Sequence, residues 1–191
     1  MDVGTALGGV LAAFGLSGAA GLNAWLPLFV SALLDRLDVV DLAGPFDEFS
    51  STAGLVVLGT LALVDFVGDK IPIVDHVLHS VGTLIAPVSG AILFTGSAGA
   101  ESSTPTLLSL ILGALVAGSV HAARTTARPA ATATTGGLGN PVVSLGEDLT
   151  SGLLTALAFI APVVAVALLV ALLAGLVVAV RRLRRVLRRR S

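Results

Sequence analysis

The distribution of polar positions divides this chain into long oily runs separated by short charged interruptions. No charged residue occurs between Val3 and Leu34, more than the ~20 residues a helix needs to cross a ~30 Å hydrocarbon layer. Gly18, Gly21, Asn23 and Pro27 interrupt that run, and Trp25 suits an interfacial anchor. One kinked helix and two shorter pieces both fit. The segment Leu37 to Ser51 contains Asp38, Asp41, Gly44, Pro45, Asp47 and Glu48, which predicts an extramembrane loop.

Further spans are expected from about Ala53 to Val67, closed by Asp69, Lys70 and Pro72, and from about Val74 to Thr95. Gly96 to Pro105 reads as a small-residue loop, and Leu107 to Val120 as a fourth span reaching towards His121 and Arg124. Thr125 to Asp148, rich in Thr, Gly, Ala and Pro, shows no clear helical period. The last span is expected from Leu149 to Val180, where ~32 residues at 1.5 Å rise would reach roughly 48 Å, with a kink at Pro162.

The fold class is therefore all-α: a polytopic transmembrane helical bundle of about five spans, with residues 1–180 as one transmembrane domain and 181–191 as a basic tail. Two short similarities suggest a duplicated helical hairpin. Leu58-Gly59-Thr60-Leu61 resembles Leu112-Gly113-Ala114-Leu115, placing Lys70 on Arg124, and Ile85-Ala86-Pro87-Val88 recurs at Ile160-Ala161-Pro162-Val163. Such repeats are common in transporters, with sites at the repeat interface.

Composition supports this reading. Charged residues make up 12% of the chain and hydrophobic residues 55%, against roughly 25% charge in a soluble domain. Mean hydropathy is +0.99. The absence of cysteine excludes disulfides and thiolate chemistry. The N-terminus has no basic region before its apolar run, so that run is expected to stay in the mature protein.

The net charge of -1 conceals an asymmetry: seven of eleven basic residues are Arg181, Arg182, Arg184, Arg185, Arg188, Arg189 and Arg190. Arginine beside a span is retained in the cytoplasm, which predicts a cytoplasmic C-terminus in a multi-pass cell-membrane protein. Counting back through single spans puts the Lys70 turn and Thr125 to Asp148 outside, leaving Lys70, Arg124 and Arg128 on the unfavoured side. Leu183, Val186 and Leu187 form one stripe of the tail, suited to lying along anionic lipid. Membrane lipids, with anionic lipid at the basic tail, and further copies of the chain in a homo-oligomer are the expected partners, and nucleic acid is not expected.

Candidate chemistry is concentrated where charge meets apolar helix. Asp65 lies near the end of an oily span, where a carboxylate is costly unless paired, protonated or wetted. Asp65 and Asp69 are four apart, as are Asp75 and His79 on the next helix, with Pro72 in the turn between. Asn23, Asp65, Asp69, Asp75, His79 and His121 form a candidate solute, ion or proton pathway. Lys70 would neutralise one of its acids.

A second constellation joins Arg124 and Arg128 to the loop containing Gly136, Gly137 and Asn140, a donor set suited to a phosphate or anionic headgroup. Ser144 and Glu147 fit a capping box, leaving Asp148 to pair with a cation. No nucleotide or nucleophile motif is present, and the histidines form no recognisable metal pattern. No cofactor or metal is expected. Transport is the leading reading, handling of anionic lipid the alternative, and an intramembrane hydrolase using His121 with Asp148 or Glu147 has the weakest support.

Gly21-Leu22-Asn23-Ala24-Trp25-Leu26-Pro27, Asp65, Asp69-Lys70-Ile71-Pro72, Val74-Asp75, His121, Arg124, Arg128-Pro129, Thr135-Gly136-Gly137-Leu138-Gly139-Asn140-Pro141, Ser144 and Glu147-Asp148 together resemble a bacterial membrane protein family catalogued as domain of unknown function 4126. The resemblance runs from Gly18 to about Val163 and implies a multi-span bacterial inner-membrane protein, with no activity attached. The sequence departs from the family pattern at Asp65, where glutamate is common, at Ala86, where arginine is, and at Arg124, where lysine is. Ala86 removes a cation from any shared role at that position.

Overall fold

The structure is a computed structural model and describes residues 3–99, 105–136 and 139–188. The N-terminal run divides into two helices, α1 (Val3–Leu22) and α2 (Leu26–Arg36). Asn23 makes the division: its Oδ1 accepts from the backbone N–H groups of Trp25 at 3.0 Å and Leu26 at 2.9 Å. Pro27 then starts α2, where its missing N–H is not needed.

After α2 the chain turns through Asp38, whose φ is 54°. Asp35 secures this segment by accepting from Leu42 N–H at 2.9 Å and Ser50 Oγ at 2.5 Å. The short α3 (Phe46–Phe49) buries Phe46. Helix α4 (Thr52–Gly68) is capped by Ser51, whose Oγ accepts from Gly54 N–H at 3.0 Å, and packs on α2. A turn at 69–71 leads into α5 (Pro72–Gly99), followed by α6 (Thr106–Thr135), α7 (Asn140–Ile160) and α8 (Pro162–Arg188).

Helix α1 is the axis of the bundle, in contact with α5, α6, α7 and α8. Its small residues allow the neighbours to approach. A side chain at Gly18 would fall 2.5 Å from Leu169, and one at Gly21 2.5 Å from Val120. Small residues take this place in membrane bundles because packing and interhelical hydrogen bonds replace the hydrophobic drive. Ser17 Oγ accordingly donates to the Gly90 carbonyl at 2.9 Å, and Ser151 Oγ to that of Ala19 at 3.0 Å. Much of the outside is apolar, including Val56 and Leu63 on α4, Leu84 and Val88 on α5 and Leu107 and Leu115 on α6.

The result is a helical membrane bundle: among the described residues three helices are long and apolar enough to cross a bilayer and three more are shorter and apolar. Two expectations are corrected. Thr125 to Thr135 continue α6 as helix, with Pro129 inside it. Thr126 and Thr132 hydroxyls bond back to the carbonyls of Ala122 and Arg128, so polar composition here does not mean loop. The expected final span is two helices, because Ala161 adopts φ -148° and ψ 69° and Pro162 begins a new helix. Pro87, in the matching Ile-Ala-Pro-Val, remains inside a continuous α5, so that sequence identity does not extend to local structure.

The reversal at Ala161 changes how charge is distributed. Val143 of α7 and Leu176 of α8 border one cleft, together with Leu22, Arg124 and Arg128. Phe159 and Pro162 border another with Gly9, Ser97 and Asp41. Helices α7 and α8 are therefore antiparallel, and the C-terminal end of α8 reaches the end of the bundle that holds Arg124 and Arg128. Counting one kinked span had placed these cations opposite the tail. At the other end Asp35, Asp38, Asp41 and Asp47 border a cavity of about 490 Å³.

Candidate functional site

The basic end also holds a set of carboxylates, Asp69 and Asp148 buried and Asp65 half-buried. Asp65 is on the last turns of α4, Asp69 ends that helix, and Asp148 projects from α7. One oxygen from each lies within 4.8 Å of the others. Unscreened, each such pair would repel by about 3 kcal/mol at an effective dielectric of about 20. Counter-charges are thus required. Lys70 Nζ lies 3.4 Å from Asp148 Oδ2 and also donates to the Phe66 carbonyl while sitting over that ring. Arg128 lies 3.8 Å from Asp69 and 2.5 Å from Glu147, and Arg124 lies 3.6 Å from Glu147.

Neutral groups complete the network. Ser144 Oγ donates to Asp69 Oδ2 at 3.0 Å, and Asn23 Nδ2 donates to Asp148 Oδ1 at 2.9 Å. One amide therefore shapes the α1–α2 break and holds an acid on α7. Among the described residues, four carboxylates (Asp65, Asp69, Glu147, Asp148) meet three fixed cations (Lys70, Arg124, Arg128). The three clustered aspartates are hard oxygen ligands of the kind that suits a cation, although Lys70 and Arg128 already face two of them.

A cavity of about 300 Å³ opens beside this network. Asn23, Asp65, His121 and Arg124 supply its polar wall, and Leu61, Leu78, Ile85 and Ala86 its apolar wall. It runs between α4 and α5, which meet at the turn end, where Gly68 lies against Val74 and Leu78. Gly82 makes room for His121, since a side chain there would fall 3.0 Å from the imidazole.

The structure thus brings Asn23, Asp65, Asp69, Lys70, His121, Arg124, Arg128, Ser144, Glu147 and Asp148 to one end of the bundle. Asp75 and His79 lie on α5, but their side chains are outside the described residues, as is Gly137. Gly136 ends α6 with φ 62°, and Asn140 Oδ1 accepts from Thr132 Oγ1 at 3.0 Å, so both serve the α6–α7 connection. The capping box is corrected: α7 begins at Asn140, so Ser144 and Glu147 lie inside it and turn to Asp69 and Arg128.

Sequence reasoning did not find Leu61, Gly82 or Ile85 as cavity walls, because apolar residues on a lipid-facing helix and on a cavity look alike. Nor could it pair Lys70 with Asp148, which are 78 positions apart.

Fold and site together define an integral membrane protein of the helical-bundle class, with an ionised network buried at one end. Residues 10–182 match the family described as a domain of unknown function (DUF4126), and the chain belongs to that family. Comparison with curated proteins and with solved structures gives no match.

Proposed function

We propose that this protein transports a small solute, ion or proton across the cell membrane, with Asp65 as the group its cargo meets. The carrying observation is that Asp65 lines a cavity reaching Ala86, midway along α5, while its carboxylate lies within 4.8 Å of two others. Ionisable groups inside a membrane bundle are expensive and mark pathways and relays. The excess of one carboxylate over the fixed cations supports a place for a proton or a small cation.

The same reading orients the chain. Lys70, Arg124, Arg128 and the arginine tail of α8 share one end, and the acidic loop 37–51 lies at the other, which supports a cytoplasmic basic end. In this orientation the Ala161 reversal removes the conflict that single-span counting creates.

Reconstituted into vesicles, the protein should move protons, inorganic ions or small solutes along an imposed gradient, read by an internal dye or tracer. Asp65→Asn should reduce that flux to the protein-free level while eluting as the wild type does. Wild-type flux in a folded Asp65→Asn variant would exclude this role.

A further inference from the structure

The cavity beside Asp65 is larger and oilier than a proton or a bare metal ion needs. Its volume is about 300 Å³, room for roughly ten waters at ~30 Å³ each and within the range of small-molecule sites. Aliphatic side chains make most of its wall, and of the network's four carboxylates it is Asp65 that lines it. We propose, resting on the reading that Asp65 meets the cargo, that this cavity binds a small organic ammonium ion, its charge against Asp65 and its hydrocarbon body along Leu61, Leu78 and Ile85.

The sign of the ligand's charge follows from the network. Arg124 and Arg128 both act on Asp65 and both pair with Glu147, and Arg128 pairs with Asp69 as well, so neither is held in reserve for an anion. Among the described residues, with Lys70 on Asp148 and His121 neutral, four carboxylates meet three cations, one positive charge short of balance. The last turn of α1 adds to the deficit: residues 20–22 line the same cavity, and a helix C-terminus carries a partial negative charge that favours a cation. Trp25, in the same wall, brings an indole, the aromatic ring that holds ammonium groups best.

The wall selects an organic cation over an inorganic one. Stripped of water, a hard cation takes about six or more oxygen ligands, and Asn23 has none to give, its Oδ1 already accepting from Trp25 and Leu26 N–H. A proton on Asp65 would settle the charge but leave the aliphatic wall without a partner. The way in agrees. Val64 and Val81 line the cavity and are also exposed on the outside of the bundle, so it opens sideways between α4 and α5 towards the acyl chains, from which a cation with a hydrocarbon body can enter.

The test uses the full chain in mild detergent with benzyltrimethylammonium as the probe, bound ligand being measured by equilibrium dialysis against protein-free micelles. Trp25 is the single tryptophan of the chain, so its fluorescence reports on the cavity directly. The wild type should bind one probe with a saturable change in that fluorescence. Benzyl alcohol, which has the ring without the charge, and sodium ion, which has the charge without the ring, should compete far more weakly than unlabelled probe. Asp65→Asn removes the charge; Ile85→Phe fills the apolar wall and leaves every ion pair in place. Each should weaken binding about tenfold or more, the effect of losing one charge-assisted contact or its equivalent.

Binding that either variant leaves at the wild-type level overturns the proposal, and so does a wild type that binds no probe. Competition by sodium ion equal to that of unlabelled probe also overturns it, in favour of an inorganic cation. If Asp65→Asn fails to fold, Ile85→Phe decides alone. Dialysis involves no gradient, so the two readings separate. Asp65-dependent flux of protons without ammonium binding sinks this inference and keeps the pathway, whereas ammonium bound at Asp65 without any flux keeps the ligand class and sinks the pathway.

Discussion

Asn23 connects the two halves of the site with one side chain. Its carbonyl oxygen accepts from Trp25 and Leu26, and its amide nitrogen donates to Asp148. Asn23→Ala removes the cap and leaves a buried carboxylate short of a donor, a loss of about 2–4 kcal/mol when the two effects add. Thermal unfolding in detergent should show this as a clear drop in Tm. Asn23→Asp keeps the acceptor but sets a second carboxylate against Asp148, so it should be destabilised at least as much. Asp65 was legible in the sequence because a charge in an oily run is visible in one dimension. The partners of Asp69 and Asp148 were not, since Ser144, Lys70 and Asn23 come from remote segments. Ser144 also shows a local motif losing to tertiary demand: a buried acid needed its hydroxyl more than a helix start did.

Among the elements, α5 and α6 make the closest contact. A side chain at Gly90 would fall 2.6 Å from the Gly113 carbonyl oxygen, and one at Gly113 2.7 Å from Phe94 Cβ. Backbone cannot yield there as a flexible side chain can. Gly90→Val should therefore cost about 2 kcal/mol or more through overpacking. Gly175 on α8 has open space around its Cα, and Gly175→Ala should be neutral or stabilising by up to about 1 kcal/mol on helix propensity. Tm values of the two variants, compared in the same detergent, check both statements. Helices were legible from uncharged run lengths, and the α1–α2 division from Asn23 and Pro27. The Ala161 joint was legible only as excess length. Proline does not settle it: Pro87 and Pro129 stay within helices while Pro162 starts one. The choice depends on whether both arms can pack against α1, as they do where Ala158 and Ala165 meet Gly15.

For the whole molecule, the separation of acidic and basic ends gives a direct test of orientation. The chain contains no cysteine, so single introduced thiols report without background. In intact cells a membrane-impermeant maleimide should label Asp47→Cys, at the acidic end, and should reach Thr126→Cys, on exposed α6, only after the membrane is opened. The opposite pattern would reverse the proposed orientation. The charge asymmetry itself was readable from the tail arginines, but its agreement with Lys70, Arg124 and Arg128 needed the reversal that only packing shows.

That reversal has a consequence for how the acidic face meets its surroundings. One residue, Ala161, joins α7 to α8, so the joint supplies no ribbon of chain to grip. At that face the stretch from Leu37 to Ser51 is a longer segment that an approaching antibody, protease or scaffold can hold. It offers Asp38, Asp41, Asp47 and Glu48 at its surface beside Leu37 and Val39, so recognition from that direction has a component of complementary charge, sensitive to ionic strength in a way the oily body is not.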